Sequence, residues 1–300
     1  MSRSSMTRRA MLRTAALAVG GVAAAPMINL GRYRVFAGSP AEYSARTIRL
    51  MQESQVIDML SPITIDFRQM QRWVTDPESF TDADFQRYLD SGIDIFHIAV
   101  GTGGVDAYAS TLDFVGGWNS FMAGNDHRFM RVDSTADFER LKGSGKVGIL
   151  VGVQNSSHFR RLDDVDKFWG LGQRVSQLTY NSRNQIGNGS TERVDGGLSD
   201  YGVRVVERMN SLGMAVDVSH SGDRTTLDAC EVSRQPVLFT HSNARALVPG
   251  HPRCKTDEAI RRMARTGGVM GITGVRMFVK VDEPTTIEHL LDHFDHVARL

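Results

Sequence analysis

The sequence predicts an α/β fold, a parallel (β/α)8 barrel of TIM type that lacks its final strand within these 300 residues. Three observations predict it. Short apolar runs alternate with amphipathic segments from residue 56 to residue 300, the pattern of strands joined by crossover helices. Two of these runs, Ala215-Val-Asp-Val-Ser-His220 and Pro236-Val-Leu-Phe-Thr-His-Ser242, lie about twenty residues apart, room for one helix between parallel strands. Each ends in a histidine, His220 and His241, so both rings belong to the C-terminal rim, where barrels of this kind place their chemistry.

The elements follow in order. Ser39, Pro40 and Glu42 read as a capping box that starts a helix running to about Gln52. Residues 56–60 form the first strand. Thr81 with Asp84 starts a helix over 82–90, stopped by Gly92. Residues 93–100 are the second strand and run into the glycine-rich turn 101–104. Residues 105–145 are helical in part; 146–153 is the third strand, a helix lies around 165–171, and 175–181 is the fourth strand. The loop 182–199, with Gly187, Gly189, Gly196 and Gly197, is long and polar, as befits a rim loop over a site. Val203, Val206, Met209 and Leu212 recur at helical spacing over 200–212, and Gly213 closes that helix. After the histidine-bearing strands come a helix over 257–266, a seventh strand over 269–275, and a helix over 287–300. No repeat or linker divides residues 39–300, which are expected to be one domain, incomplete at its C-terminal end because a closed barrel needs an eighth strand.

Composition narrows the function. The chain is 41% hydrophobic and 23% charged, as in an ordinary globular protein. Residues 1–38 hold six arginines and none of the 34 acidic side chains, so the remainder is net acidic and has no basic stripe, which excludes nucleic acid as the expected partner. Thr7-Arg8-Arg9-Ala10-Met11-Leu12-Arg13 followed by an Ala- and Gly-rich apolar run to Ala25 reads as a twin-arginine export signal over 1–38. Export to the periplasm or the outside is the expectation; the run is too short for a stable membrane span. Cys230 and Cys254 match no metal-ligand spacing.

Two neutral imidazoles on one rim suit zinc or a similar ion; two structural histidines capping strand ends are the plainer alternative. His97, inside an apolar strand, reads as a satisfied core histidine, and His289, His293 and His296 as residues of a helix surface.

Asp217-Val-Ser-His220, Thr240-His-Ser-Asn-Ala-Arg245, His251-Pro-Arg253 followed by Asp257, and Gly267-Gly-Val-Met270 resemble the membrane (renal) dipeptidase family, zinc dipeptidases on an amidohydrolase-like barrel. The likeness covers nearly all of residues 52–300 and implies a metallohydrolase of dipeptides or a related small amide, here behind an export signal. On the matching positions, His220 and His241 correspond to the histidines of the second zinc ion. Gln154 corresponds to the bridging glutamate, Tyr180 to a substrate-contacting histidine, and Arg253 to the arginine that binds the substrate carboxylate. Leu60 and Pro62 stand where the family has the His-x-Asp ligands of the first zinc, and neither can ligate. Asp66 and the region of His158 are the nearby residues from which a replacement ligand would come. The resemblance places the catalytic aspartate on an eighth strand, so no catalytic residue is assigned here. The expected centre therefore holds at most one zinc ion, on His220, His241 and Gln154, with Tyr180 and Arg253 binding substrate. The alternative is a catalytically inactive homologue that binds peptides or small carboxylates. Where copies of the chain associate, a homodimer is the expected assembly.

Overall fold

The computed structural model describes residues 32–33 and 43–300. The twin-arginine stretch and the Ser39–Glu42 box lie outside them. The first helix, Ala45–Glu53, takes Ser44 as its N-cap, with the Ser44 hydroxyl accepting from the Thr47 amide at 3.1 Å. That start is later than the one expected from Ser39.

Seven strands form one parallel sheet: β1 (Ile57–Ser61), β2 (Ile95–Val100), β3 (Val147–Val153), β4 (Gln173–Gln177), β5 (Ala215–Asp217), β6 (Val237–Ser242) and β7 (Met270–Ile272). They pair in chain order from β1 to β7. The sheet curls into a nearly closed barrel: a Cβ built on Gly271 of β7 would lie 3.3 Å from Cβ of Met59 on β1. The expected strands are thus present, although β4 sits two residues earlier than expected, which puts Tyr180 in the loop beyond it.

Three strands were not expected: Arg32–Tyr33 and Tyr43–Ser44, which pair antiparallel ahead of the first helix, and one beside the barrel sheet. Phe129–Arg131 pairs in parallel with the start of β3 outside the main path. It is held there by packing, since Phe129 stands in edge-to-face or tilted contact with Phe80, Phe85, Tyr88 and Phe121 at centroid distances of 5.3–6.2 Å. These rings, with Trp73 and Trp118, fill the layer between barrel and helices, where each pair adds about 0.5–1.5 kcal/mol beyond its buried area. Asp66 is not a spare ligand: its carboxylate caps the helix Phe67–Thr75 by accepting from the amides of Arg68 and Gln69.

The local signals read from sequence hold at Thr81 and Asp84, which form a reciprocal capping box, and at Gly92 and Gly213, which end their helices at φ 76°. His293 departs from expectation. It is fully buried; its Nδ1 accepts from the Ala244 amide at 3.1 Å and its Nε2 faces the Val279 carbonyl at 2.9 Å. The helix Ile287–Arg299 is thereby pinned to the segment just after β6. Among the described residues, no helix is long and apolar enough to cross a membrane.

Candidate active site at the C-terminal rim

His220 lies three residues beyond the end of β5 and His241 lies within β6. Their Nε2 atoms are 2.9 Å apart, with the ring planes tilted by 52°. The protons can be placed by elimination. Thr240 donates its hydroxyl to Oδ2 of Asp217 at 2.8 Å, so its oxygen accepts from Nδ1–H of His241 at 2.9 Å. Nδ1–H of His220 donates to Oδ1 of Asn181 at 2.7 Å. Both rings therefore carry their proton on Nδ1 and turn the Nε2 lone pair towards each other. Burial, reinforced by the nearby charges of Arg253 and Lys255, lowers the pKa of both rings and keeps them neutral. Two lone pairs at this spacing repel unless a positive charge lies between them, and engaged Nδ1 protons are the usual outer support of metal-binding imidazoles.

The supporting residues come from distant places in the chain. Asp217, fully buried, accepts from the amide and hydroxyl of Ser219 and from the amide and hydroxyl of Thr240. It ties the ends of β5 and β6 together and orients His241 through Thr240. Asn181 is one of two described non-glycine residues at positive φ, 58°, a conformation asparagine tolerates better than most. Tyr180 beside it stacks on His220, with centroids 4.0 Å apart and planes within 19°. Gly101 makes this possible, because a Cβ there would stand 3.0 Å from the Tyr180 ring.

Arg253 is buried, 5% exposed. Its Nη1 donates to the Ser219 carbonyl, Nη2 lies 3.5 Å from the His241 carbonyl, and its buried Nε has no partner. Burial pushes its pKa down to about 10, still cationic at neutral pH. Among the described residues no carboxylate bonds to it; Asp217 acts on it through space, and its Cζ lies 5.2 Å from the Phe278 ring centroid. Lys255 is likewise buried, and burial lowers its pKa to about 7.

Gln154 turns its side-chain NH2 to the Ala99 carbonyl at 3.4 Å, on the neighbouring stave, while its main-chain carbonyl accepts from the side-chain amide of Gln177. His158 is enclosed, with ring nitrogens 3.0 Å from the Asn155 carbonyl and from Oε1 of Gln173, so it is no replacement ligand. His97 is core, as expected, but not satisfied: Nδ1 meets the Met59 carbonyl and Nε2 has no partner. Among the described residues, no group of three or more His, Cys, Asp or Glu is placed to hold a metal ion. The donor set does not fit a two-ion centre. It fits one cation between two imidazoles.

Sequence reasoning missed Asn181, Thr240 and Lys255 as site residues. The place of Thr240, beside a histidine-bearing stave end, was the available signal.

A parallel barrel with paired imidazoles on its C-terminal rim defines the amidohydrolase-like class. The fold agrees with that class: an amidohydrolase from Pseudomonas aeruginosa superposes with a TM-score of 0.69 at 29% identity, over 84% of this chain and 72% of the other. The family model of the membrane dipeptidases (peptidase family M19) matches residues 44–300, and the chain belongs to that family. An uncharacterised dipeptidase of Schizosaccharomyces pombe is 32% identical over 184 residues, 59% of this chain and 44% of its own length. A dipeptidase of Clonostachys rogersoniana is 34% identical over 158 residues, 52% of this chain and 40% of its own. The matches thus span less than half the length of these curated relatives. The family is one of metallopeptidases and so implies a metal.

Proposed function

We propose that this protein is a dipeptidase-type amide hydrolase whose centre is reduced to a single divalent ion, zinc by preference, held by His220 and His241. The observation that carries the reading is the pair of Nε2 lone pairs 2.9 Å apart, with both Nδ1 protons committed to oxygen acceptors. A bound divalent ion supplies polarisation of the scissile carbonyl and acidification of water. The chain's own residues do the rest. The guanidinium of Arg253 binds the C-terminal carboxylate of a dipeptide, its free Nε and positive charge unopposed by any bonded acid. Tyr180, 39% exposed above His220, supplies a neutral donor to the substrate carbonyl as negative charge develops on it. Gln154 contributes an amide oxygen at most, with no charge to offset a second ion. Asp217 is not the general base, because its oxygens are committed to four hydrogen bonds that hold the stave ends. Export by the twin-arginine route belongs to the same reading and rests on residues 7–25.

A second reading, a binding protein without hydrolytic activity, is favoured by Leu60, Pro62 and Gln154 standing at ligand positions. Elemental analysis of the full-length protein, paired with hydrolysis of a panel of Xaa-Yaa dipeptides with and without chelator, separates the two. The first reading expects about one zinc per chain and chelator-sensitive turnover. A protein that holds no metal and cleaves nothing, yet melts higher with dipeptide, is the binder.

A further inference from the structure

We propose that Lys255 is the positioning residue that sets the separation of His220 and His241, gripping one stave end with its main chain and the other with its ammonium. The inference rests on the reading of these two rings as partners at one centre and concerns what holds them in register.

The main-chain half is a short parallel bridge. The Lys255 amide donates to the Asn243 carbonyl at 2.8 Å, and its carbonyl accepts from the Arg245 amide at 2.8 Å. Lys255 is thereby locked to the segment that leaves β6 directly after His241. The side-chain half reaches the turn after β5. Nζ donates to the carbonyls of Val218 at 2.6 Å and Ser221 at 2.8 Å, and to the hydroxyl of Thr226 at 3.1 Å. The two carbonyls flank His220, so the ammonium closes the turn that presents that ring. As an ammonium it uses all three donors, it is 1% exposed, and among the described residues no carboxylate bonds to it. An ammonium buried without an acid costs more than a methionine or leucine of the same size would. What the ammonium supplies and an apolar chain lacks is a fixed distance between the two stave ends. Ser221 also donates its amide to the Val218 carbonyl at 3.0 Å, which makes the turn a compact unit that moves as one when its anchor is lost.

The test uses full-length protein with Lys255→Met, which keeps the volume and removes every donor. Two readouts are taken: zinc affinity by competition with a chromophoric chelator, and the imidazole 15N resonances of His220 and His241 in metal-free protein. Phe121→Leu, in the aromatic layer outside the barrel, serves as a control for general destabilisation. The expected result is a loss of zinc affinity of about tenfold or more, with both rings' resonances displaced, while Phe121→Leu leaves both at wild-type values. If Lys255→Met moves the ring resonances no further than Phe121→Leu does, the proposal is overturned. Should Lys255→Met fail to fold, Thr226→Val removes one of the three anchors and carries the same decision: displaced rings support the proposal, unmoved rings overturn it. If wild-type protein binds no zinc, the single-ion reading falls, and the ring resonances alone decide the role of Lys255.

Discussion

Replacing Thr240 by valine changes the shape of its side chain little and removes a hydroxyl on which the candidate site depends. That hydroxyl donates to Oδ2 of Asp217 at 2.8 Å and accepts from Nδ1–H of His241 at 2.9 Å, in a place only 3% exposed. The other three bonds to Asp217 all go to Oδ1, so Oδ2 is left bare in Thr240→Val. A lost hydrogen bond to a charged group costs about 1.5–3 kcal/mol, the loss expected for Thr240→Val. The measurement is urea unfolding of the full-length protein at pH 7.5 in chelator, with Thr240→Ser as comparator. Serine keeps the hydroxyl and loses one methyl, about 1 kcal/mol. Thr240→Val also frees the His241 proton to move to Nε2, where it donates to His220 Nε2; the pair then satisfies itself and zinc affinity drops. If Thr240→Val and Thr240→Ser unfold at the same urea concentration, the chain Asp217–Thr240–His241 does not carry the load assigned to it.

Gly152→Ala is expected to destabilise by about 1–3 kcal/mol or more through overpacking, because a Cβ at Gly152 would lie 2.0 Å from Nε2 of His97, a ring held on its other side by the Met59 carbonyl. His97→Ala in the same chain should relieve much of that cost; an unchanged melting temperature in Gly152→Ala alone would show that the ring is not confined. Acid should destabilise the metal-free protein between pH 6.5 and about 4. Burial pushes His158 down to about 4, so in that window the unfolded chain binds the proton first and stability falls as pH falls, by up to about 3 kcal/mol from this group. Urea midpoints at pH 7, 5.5 and 4.5 check it: His158→Gln should flatten the slope, and an identical slope would place the acid sensitivity elsewhere.

The reduced ligand set bears on how the site works. Arg253, a cation at neutral pH, lies buried beside the histidines together with Lys255, and among the described residues no third His, Cys, Asp or Glu joins the two rings. A dication there would meet two neutral donors and a positive surround, which weakens its binding.

Sequence alone determined the barrel, its order of strands and helices, and the pairing of His220 with His241. These are local properties: apolar runs of strand length, caps such as Thr81–Asp84, stops such as Gly92 and Gly213, and a histidine at each of two adjacent stave ends. Only the tertiary structure decided which oxygen each Nδ1 meets, with Asn181 reaching His220 across 39 residues of chain. It also decided that Arg253 is buried rather than solvated, that His293 is an anchor rather than a surface residue, and that Phe129–Arg131 becomes a strand under aromatic packing. The reason is physical. A period or a cap leaves its mark within a few residues, whereas a buried hydrogen bond between distant segments leaves none until the barrel has closed round it.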